Sequence, residues 1–265
     1  MKILMIGDIY GKTGRETLER QLPVLINRYH PDWIIANGEN VTAGNGLSAK
    51  HAHGLKKCGV DVITSGNHIF ARLDWLEVLK NHDYILRPHN MAAESAPGVG
   101  CRVFKKENLA PIAVVNLAGR VFMDAAECPF KVFDRLFASL PDEIVVIVDF
   151  HAEATSEKLA FFWYVNGRAT IAVGTHTHVQ TSDERILPNG GTAVITDLGM
   201  TGANDGIIGV DRDTVTGRFV TGFSDKFLCA PGPGKIEGMF VDTGPGHRAV
   251  AVERFRIVES ALKKS

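Results

Sequence analysis

The sequence predicts an α/β fold built around a parallel β-sheet. In the first part of its 265 residues, short apolar runs alternate with longer segments whose apolar residues recur at helical spacing. Strands that alternate with helices in this way form parallel sheets with right-handed crossovers. After residue 173 the helical pattern stops and strand-like segments follow one another, which predicts a mainly antiparallel region.

The individual elements follow from local signals along the chain. Ser48 has the position of an N-cap for the second helix, and Gly59 suits its end. Pro23 is expected to kink or split the first helix, and Pro129 lies near the start of the fourth. The predicted helices are residues 13–29, 48–58, 72–81, 130–140 and 156–164. The predicted strands are residues 2–7, 33–36, 60–64, 112–117, 144–148 and 169–173, followed by 192–196, 235–241 and 248–258 in the antiparallel region.

Two segments lack a regular pattern. Residues 83–107 are rich in Pro, Ala and Gly, and residues 198–213 are rich in Gly and Asp. Such compositions are typical of loops. We expect a single domain over residues 1–265, with small cap or lid elements from about 83–107 and 198–235.

Composition argues against several classes of protein. The net charge is −1, with lysine and arginine spread along the chain, which indicates neither a nucleic-acid surface nor a polybasic membrane patch. No apolar run approaches the ~20 residues that cross a bilayer, and the first run ends at Asp8 as a strand would. We therefore expect a cytoplasmic protein, with monomer and homo-oligomer both left open. The four cysteines are widely spaced without a CxxC pair, so a metal ion would be held by nitrogen and oxygen atoms.

Five predicted strands end in polar residues that can bind metal ions. In an open α/β sheet, ligands bind outside the carboxyl ends of the strands, so the fold brings these residues to one edge. In the segment 174–178, two histidines stand two positions apart and point the same way on an extended backbone. The strand-end residues are Asp8, Glu39, Asn40, Asn67, His68, His151, His176 and His178.

The donor types in this set suit two metal ions. Apart from His68, the set has two carboxylates, two side-chain amides and three histidines, which are more ligands than one ion usually takes from a protein. A carboxylate such as Glu39 can bridge two ions that lie about 3.5–4 Å apart. A mixed nitrogen and oxygen set without thiolate favours Mn²⁺, iron or Zn²⁺ over Ca²⁺.

The order of these motifs resembles that of the calcineurin-like metallophosphoesterases. Asp8, Gly38-Glu39, Gly66-Asn67-His68, His151 and the segment 174–178 follow the family pattern D-x-H, G-D, G-N-H, H and G-H-x-H. Tyr10 stands where the family usually has the first histidine, and Glu39 stands where it has the bridging aspartate. Glu39-Asn40 and the segment 197–202 are similar to the YmdB-type branch, which consists of bacterial cyclic-nucleotide phosphodiesterases.

The resemblance implies a four-layer α-β-β-α sandwich, a dinuclear metal site and hydrolysis of cyclic nucleotides, either 3′,5′-cAMP or 2′,3′-cyclic nucleotides. It implies that a hydroxide bridging the two ions attacks phosphorus, and that His68 serves as acid for the leaving oxygen. Iron and manganese are the expected ions, with zinc as a further candidate. One ion would take Asp8, Glu39, Asn40 and His178, and the other would take Glu39, Asn67, His151 and His176.

Two other functions stay open at this point. Residues 7–13, from Gly7 to Thr13, resemble a phosphate-binding P-loop but have three residues between the glycines instead of four, which leaves a P-loop-like NTPase as an alternative. The chain could also be a non-catalytic regulator that keeps its metal ions and binds a nucleotide or a protein partner. The presence of His68 together with the whole ligand set favours an enzyme.

Overall fold

The computed structural model describes residues 1–93, 95–223 and 226–260. These residues form two β-sheets that pack face to face, with helices on the outer face of each sheet. The predicted four-layer α-β-β-α sandwich is therefore confirmed. The helices are α1 (Gly11–Tyr29), α2 (Ala49–Cys58), α3 (Trp75–Asn81), α4 (Pro129–Ala138), α5 (Thr155–Val165) and α6 (Arg212–Thr221).

The first sheet combines both ends of the chain. Its parallel part runs β1-β3-β4, and β12 pairs antiparallel with β1 and joins β11 and β13 to the sheet. The short strand β2 pairs with β11 beyond the end of β1. Its strands are β1 (Lys2–Ile6), β2 (Asp8–Ile9), β3 (Trp33–Asn37), β4 (Val62–Thr64), β11 (Met200–Ala203), β12 (Gly234–Thr243) and β13 (Ala249–Val258).

The second sheet comes from the middle of the chain. Its order is β5-β6-β7-β8-β10-β9, and the strands from β6 to β10 are parallel. The antiparallel strands β5 and β9 lie at its two edges. Its strands are β5 (Cys101–Phe104), β6 (Ile112–Ala118), β7 (Val145–His151), β8 (Ile171–Thr175), β9 (Arg185–Ile186) and β10 (Ala193–Ile195).

Three apolar clusters hold the layers together. The central cluster lies between the sheets, where Met5 and Ile35 of the first sheet pack with Ile147 and Val173 of the second. The other two clusters lie between each sheet and its helices. Because both faces of the parallel strands are covered, these strands are continuous apolar runs instead of alternating ones.

Several local predictions are confirmed, and others are wrong. The Ser48 side chain caps α2 by accepting a hydrogen bond from the His51 amide, and Gly59 ends α2 in the left-handed conformation. Pro23 lies inside one continuous α1, so the predicted split is absent. Helix α1 stays whole because Leu18, Leu22 and Leu25 are buried on both sides of the proline.

The segments predicted to be irregular contain regular elements. Strand β5 lies within residues 83–107, and both β11 and α6 begin within residues 198–213. Helix α6 also contradicts the prediction that helices stop after residue 173. It lacks an amphipathic pattern because Val215 is its one buried residue, and a capping bond from the Thr214 amide to the Asp211 side chain marks its start.

Strand β10 also differs from the prediction. It was expected in an antiparallel region, yet it runs parallel to β8, with Ala193 opposite Ile171. The chain between them returns through β9, which pairs antiparallel with β10. Strands β12 and β13 do form the predicted antiparallel pair.

Among the described residues, no helix is long and apolar enough to cross a membrane. The cytoplasmic location and the single-domain organisation with its cap elements stay predictions.

Candidate metal centre

The predicted strand-end residues meet at one edge of the sandwich. Strands β1, β3 and β4 are neighbours in the first sheet, and β7 and β8 are neighbours in the second, so their carboxyl ends face each other across the central core. Asp8 begins β2, Glu39 and Asn40 follow β3, Asn67 and His68 begin a 3₁₀ turn after β4, His151 ends β7, and His176 and His178 follow β8.

One group of donor atoms lies between the two sheets. Glu39, His151 and His176 each offer one ligand atom, and these atoms lie within 4.8 Å of one another. The Nε2 atom of His151 is 3.3 Å from Oε1 of Glu39 and 3.0 Å from Nδ1 of His176. The Asn67 Oδ1 atom lies 3.3 Å from the same His151 nitrogen. These four residues are the ligands expected for one of the two ions.

A second group of donor atoms shares Glu39 with the first. It consists of Asp8, Glu39 and His178, again with ligand atoms within 4.8 Å of one another. The Nε2 atom of His178 is 3.8 Å from Oδ1 of Asp8. The Asn40 Nδ2 atom is 3.0 Å from Glu39 Oε1 and 3.1 Å from His178 Nε2. Glu39 therefore has the shared position that a bridging carboxylate requires.

Burial shifts the pKa values of the carboxyl groups and imidazoles in this cluster. It raises the pKa of Asp8 well above its usual value and raises that of Glu39 to about 8. Burial likewise lowers the pKa of His178 to about 4 and that of His151 well below its usual value. The imidazoles are thus neutral and can donate lone pairs, whereas the two carboxyl groups keep their protons near neutral pH unless a cation takes the place of those protons.

Two further observations show that these residues fit metal ions. The Asp8 Oδ1 atom is buried and has no hydrogen-bond partner among the described residues, although such groups are normally satisfied. At Gly66, a Cβ atom would overlap the His151 ring and the Glu39 carboxylate. The glycine therefore keeps open the space that is flanked by two of the expected ligands.

Hydrogen bonds from outside the cluster orient the three histidines. The Nδ1 atom of His151 is 2.9 Å from Thr175 Oγ1, and Nδ1 of His178 is 2.8 Å from the Ile208 carbonyl oxygen. The Nε2 atom of His176 is 3.1 Å from a Glu153 carboxylate oxygen. Each contact leaves the opposite ring nitrogen facing the cluster, as partners of metal-binding histidines do.

The backbone of the segment 176–178 is strained. His176 has a φ of 107° and His178 a φ of 63°, a region that L-residues rarely occupy. Asp197 fixes the residue between them by accepting hydrogen bonds from the Thr177 amide (3.1 Å) and hydroxyl (2.8 Å). The buried Lys158 ammonium in turn lies 2.8 Å from Asp197.

His68 lies at the edge of the cluster and is partly exposed. Its Nδ1 atom donates to Asn40 Oδ1 over 2.7 Å, and its backbone amide donates to Glu39 Oε2 over 3.1 Å. Burial and the neighbouring His176 lower the pKa of its side chain. His68 lines a cleft of about 660 Å³ together with His176 and His178, so this cleft opens directly onto the expected metal ligands.

The comparisons with known proteins assign the chain to a family. The sequence profile of the YmdB-like protein family matches residues 4–255. The chain belongs to the YmdB-like family. A 2′,3′-cyclic-nucleotide 2′-phosphodiesterase from Bacillus subtilis (strain 168) is 44% identical over 259 residues, which cover 97% of each chain. A crystal structure of a Mycoplasma pneumoniae phosphatase has a TM-score of 0.92 at 37% identity and covers 99% of this chain and 95% of that chain.

A more distant structure shares the fold alone. A 5′-nucleotidase precursor from Thermus thermophilus has a TM-score of 0.60 at 10% identity and covers 97% of this chain and 54% of that chain. The resemblance of the sequence to the YmdB-type metallophosphoesterases is confirmed by these findings, as is the assignment to the hydrolases.

The structure of this YmdB-like chain argues against the hypothesis that residues 7–13 bind a phosphate as a P-loop. The amide of Tyr10 donates to the Thr201 carbonyl (2.8 Å), and the amide of Gly11 donates to the Asn40 carbonyl (2.9 Å). These amides therefore hold the loop in the fold and are unavailable to a phosphate. Lys12 lies on the surface, 78% exposed, and pairs with Glu16 at 3.6 Å.

Sequence reasoning missed the residues that support the ligands of this YmdB-like site. Asp149 is buried and lies 2.7 Å from the Thr175 hydroxyl, which in turn contacts His151. Its position two residues before His151 was a usable signal. Lys158 had no such signal, because a lysine in a helix is ordinarily exposed and only the packed structure brings it to Asp197.

Proposed function

We propose that this chain is a phosphodiesterase that hydrolyses 2′,3′-cyclic nucleotides with the help of two metal ions. The observation that carries the proposal is the pair of donor groups that share Glu39, with the non-ligand His68 beside them in an open cleft. The relative from Bacillus subtilis, which is named for 2′,3′-cyclic-nucleotide hydrolysis, supports this choice of substrate over 3′,5′-cAMP.

The ligand set is the one expected from the sequence. Asp8, Glu39, Asn40 and His178 would hold one ion, and Glu39, Asn67, His151 and His176 would hold the other. All donors are oxygen or nitrogen atoms, which suits iron and manganese best and also zinc. When bound, the ions would neutralise charge on the phosphate oxygens and lower the pKa of a water molecule towards neutrality.

The side chain of Asn40 contacts both the other expected ligands and the ring of His68. In the structure its amide nitrogen faces Glu39 and His178, and its oxygen accepts from Nδ1 of His68. An acceptor at Nδ1 suits the imidazolium form of His68, whose second proton is on Nε2, on the side of the ring opposite to Asn40.

His68 would act as the general acid in this reaction. As an imidazolium, it would donate the Nε2 proton to the ribose oxygen that leaves phosphorus when the cyclic diester opens, and it would become a neutral imidazole. Its lowered pKa makes the imidazolium a stronger acid and reduces the fraction of protein that carries it at neutral pH. The contacts of His68 with Asn40 and, through its own amide, with Glu39 support a position for it beside the phosphate and outside the ligand set.

Metal analysis and product analysis together test the proposal. Purified protein should contain two transition-metal ions per chain and should convert 2′,3′-cyclic AMP to adenosine 3′-phosphate faster than it cleaves 3′,5′-cyclic AMP. His176→Ala should lose the activity, and Lys12→Ala should keep it. ATP hydrolysis that depends on Lys12 would instead support the NTPase. Two bound ions without any hydrolysis of phosphodiesters would support the regulator.

A further inference from the structure

One wall of the catalytic cleft is apolar and exposed to solvent. Phe227 is 44% exposed and Ile208 is 50% exposed, and both line the cleft that contains His68 and His176. The floor of the same cleft is polar, because it consists of the expected metal ligands. A cleft with a polar floor and an apolar wall suits a ligand that has one polar end and one apolar surface.

Backbone pairing holds the apolar wall in place. Val210 and Cys229 form an antiparallel bridge, and the Ala230 amide donates to the Gly209 carbonyl over 2.8 Å. These contacts hold the segments 208–210 and 227–230 side by side. The Arg218 guanidinium lies 5.3 Å from the centre of the Phe227 ring, which adds a cation–π contact from α6.

A tight loop also lines the cleft. Ala43 and Gly44 both have positive φ, and Gly44 packs against the ring of Tyr10, where a Cβ atom would clash. The exposed Asn45 side chain follows in the cleft lining. The cleft therefore offers an aromatic face and an amide that can donate or accept hydrogen bonds, which matches the face and the edge of a nucleobase.

Resting on the proposed function, we infer that Phe227 is the platform on which the base of the cyclic nucleotide stacks. The phosphodiester must reach the donor groups around Glu39, and the ribose joins it to a base that has to remain within the same cleft. Stacking on an aromatic ring accepts every base, since each has a π-face. The enzyme should therefore hydrolyse purine and pyrimidine 2′,3′-cyclic nucleotides alike, with Ile208 adding apolar contact.

A substrate without a base separates this role from catalysis. Methyl β-D-ribofuranoside 2′,3′-cyclic phosphate keeps the ribose and the diester but carries a methyl group in place of the base. Loss of one base–aromatic stack costs roughly 5- to 150-fold in affinity. Phe227→Ala should therefore lower kcat/KM for 2′,3′-cyclic AMP about tenfold, mainly through KM, and leave kcat/KM for the methyl riboside unchanged.

Matched variants and a binding measurement complete the experiment. Phe227→Trp should keep the activity on 2′,3′-cyclic AMP, and Phe219→Ala should match the wild type because Phe219 is 85% exposed and does not line the cleft. By calorimetry, Phe227→Ala should bind the product adenosine 3′-phosphate about tenfold more weakly, without any turnover step.

The failures of the two proposals are distinguishable. Wild-type protein that hydrolyses neither substrate would refute the proposed function, and the platform with it. Active wild type with Phe227→Ala impaired equally on both substrates would refute the platform and would assign Phe227 to folding or to closure of the cleft. Phe227→Ala that matches wild type on both substrates would also refute it.

Discussion

The buried ion pair between Lys158 and Asp197 should stabilise the fold next to the metal centre, where Asp197 contacts Thr177. Both side chains are 1% exposed, and their charged atoms are 2.8 Å apart. Lys158→Met keeps most of the side-chain volume but removes the ammonium, which leaves the Asp197 carboxylate buried without its cation. Removing one partner of a buried pair typically destabilises a protein by about 3–5 kcal/mol.

The remaining contacts of Asp197 place the expected loss at the low end of this range. The carboxylate still accepts from the Thr177 amide and hydroxyl and from the Gly199 amide at 2.9 Å. We therefore expect the free energy of unfolding to fall by about 3 kcal/mol in Lys158→Met. For a chain of this size, that loss lowers the midpoint of thermal unfolding by roughly 5 °C.

Urea denaturation followed by circular dichroism, with metal removed by a chelator, measures this effect. Lys12→Met is the matched control, because the Lys12–Glu16 pair is exposed and should contribute less than about 0.5 kcal/mol. The double variant Lys158→Met, Asp197→Asn should recover part of the loss, since it removes the stranded charge. A loss below about 1 kcal/mol in Lys158→Met would refute the reasoning.

Three further predictions concern the metal centre itself. His68→Ala should keep its metal content by elemental analysis while kcat falls by about 10²–10⁴-fold, and loss of metal would make His68 a ligand. His178→Ala should lower the metal content from two ions towards one, because His178 belongs only to the donor group of Asp8 and Glu39; loss of both ions or of neither would contradict the division. In metal-free protein, the pKa of Glu39 is raised from 4.5 to about 8. The folded state therefore favours the protonated side chain. This stabilisation is fully present below pH 4.5 and is lost as the pH rises through about 8. Thermal unfolding should therefore show that Mn²⁺ raises the unfolding midpoint more at pH 8 than at pH 5. A rise at pH 8 that is equal to or smaller than the rise at pH 5 would contradict this prediction.

The sequence by itself determined which residues gather at the site. Short apolar runs that each end in Gly, Asp, Asn or His mark the strand ends, and parallel strands bring their carboxyl ends to one edge. This is why Asp8, Glu39, Asn67, His151 and His176 could be placed together although they are far apart along the chain. Local hydrogen bonds also fixed the start of α2 at Ser48, since a cap depends only on near neighbours.

Tertiary structure decided how those residues are arranged and what surrounds them. The stacking of two sheets sets the contact between His151 of β7 and Glu39 after β3, and no local pattern encodes that distance. The same holds for the ammonium of Lys158, which reaches Asp197 only when α5 packs on its sheet. Helix α6 was missed, and the pairing of segments beside Phe227, within the range 198–235 where a cap was predicted, could not be derived, because both depend on contacts with distant segments more than on apolar periodicity. Local patterns thus predict where strands end, whereas the pairing of buried charges and the walls of the cleft depend on which surfaces finally pack together.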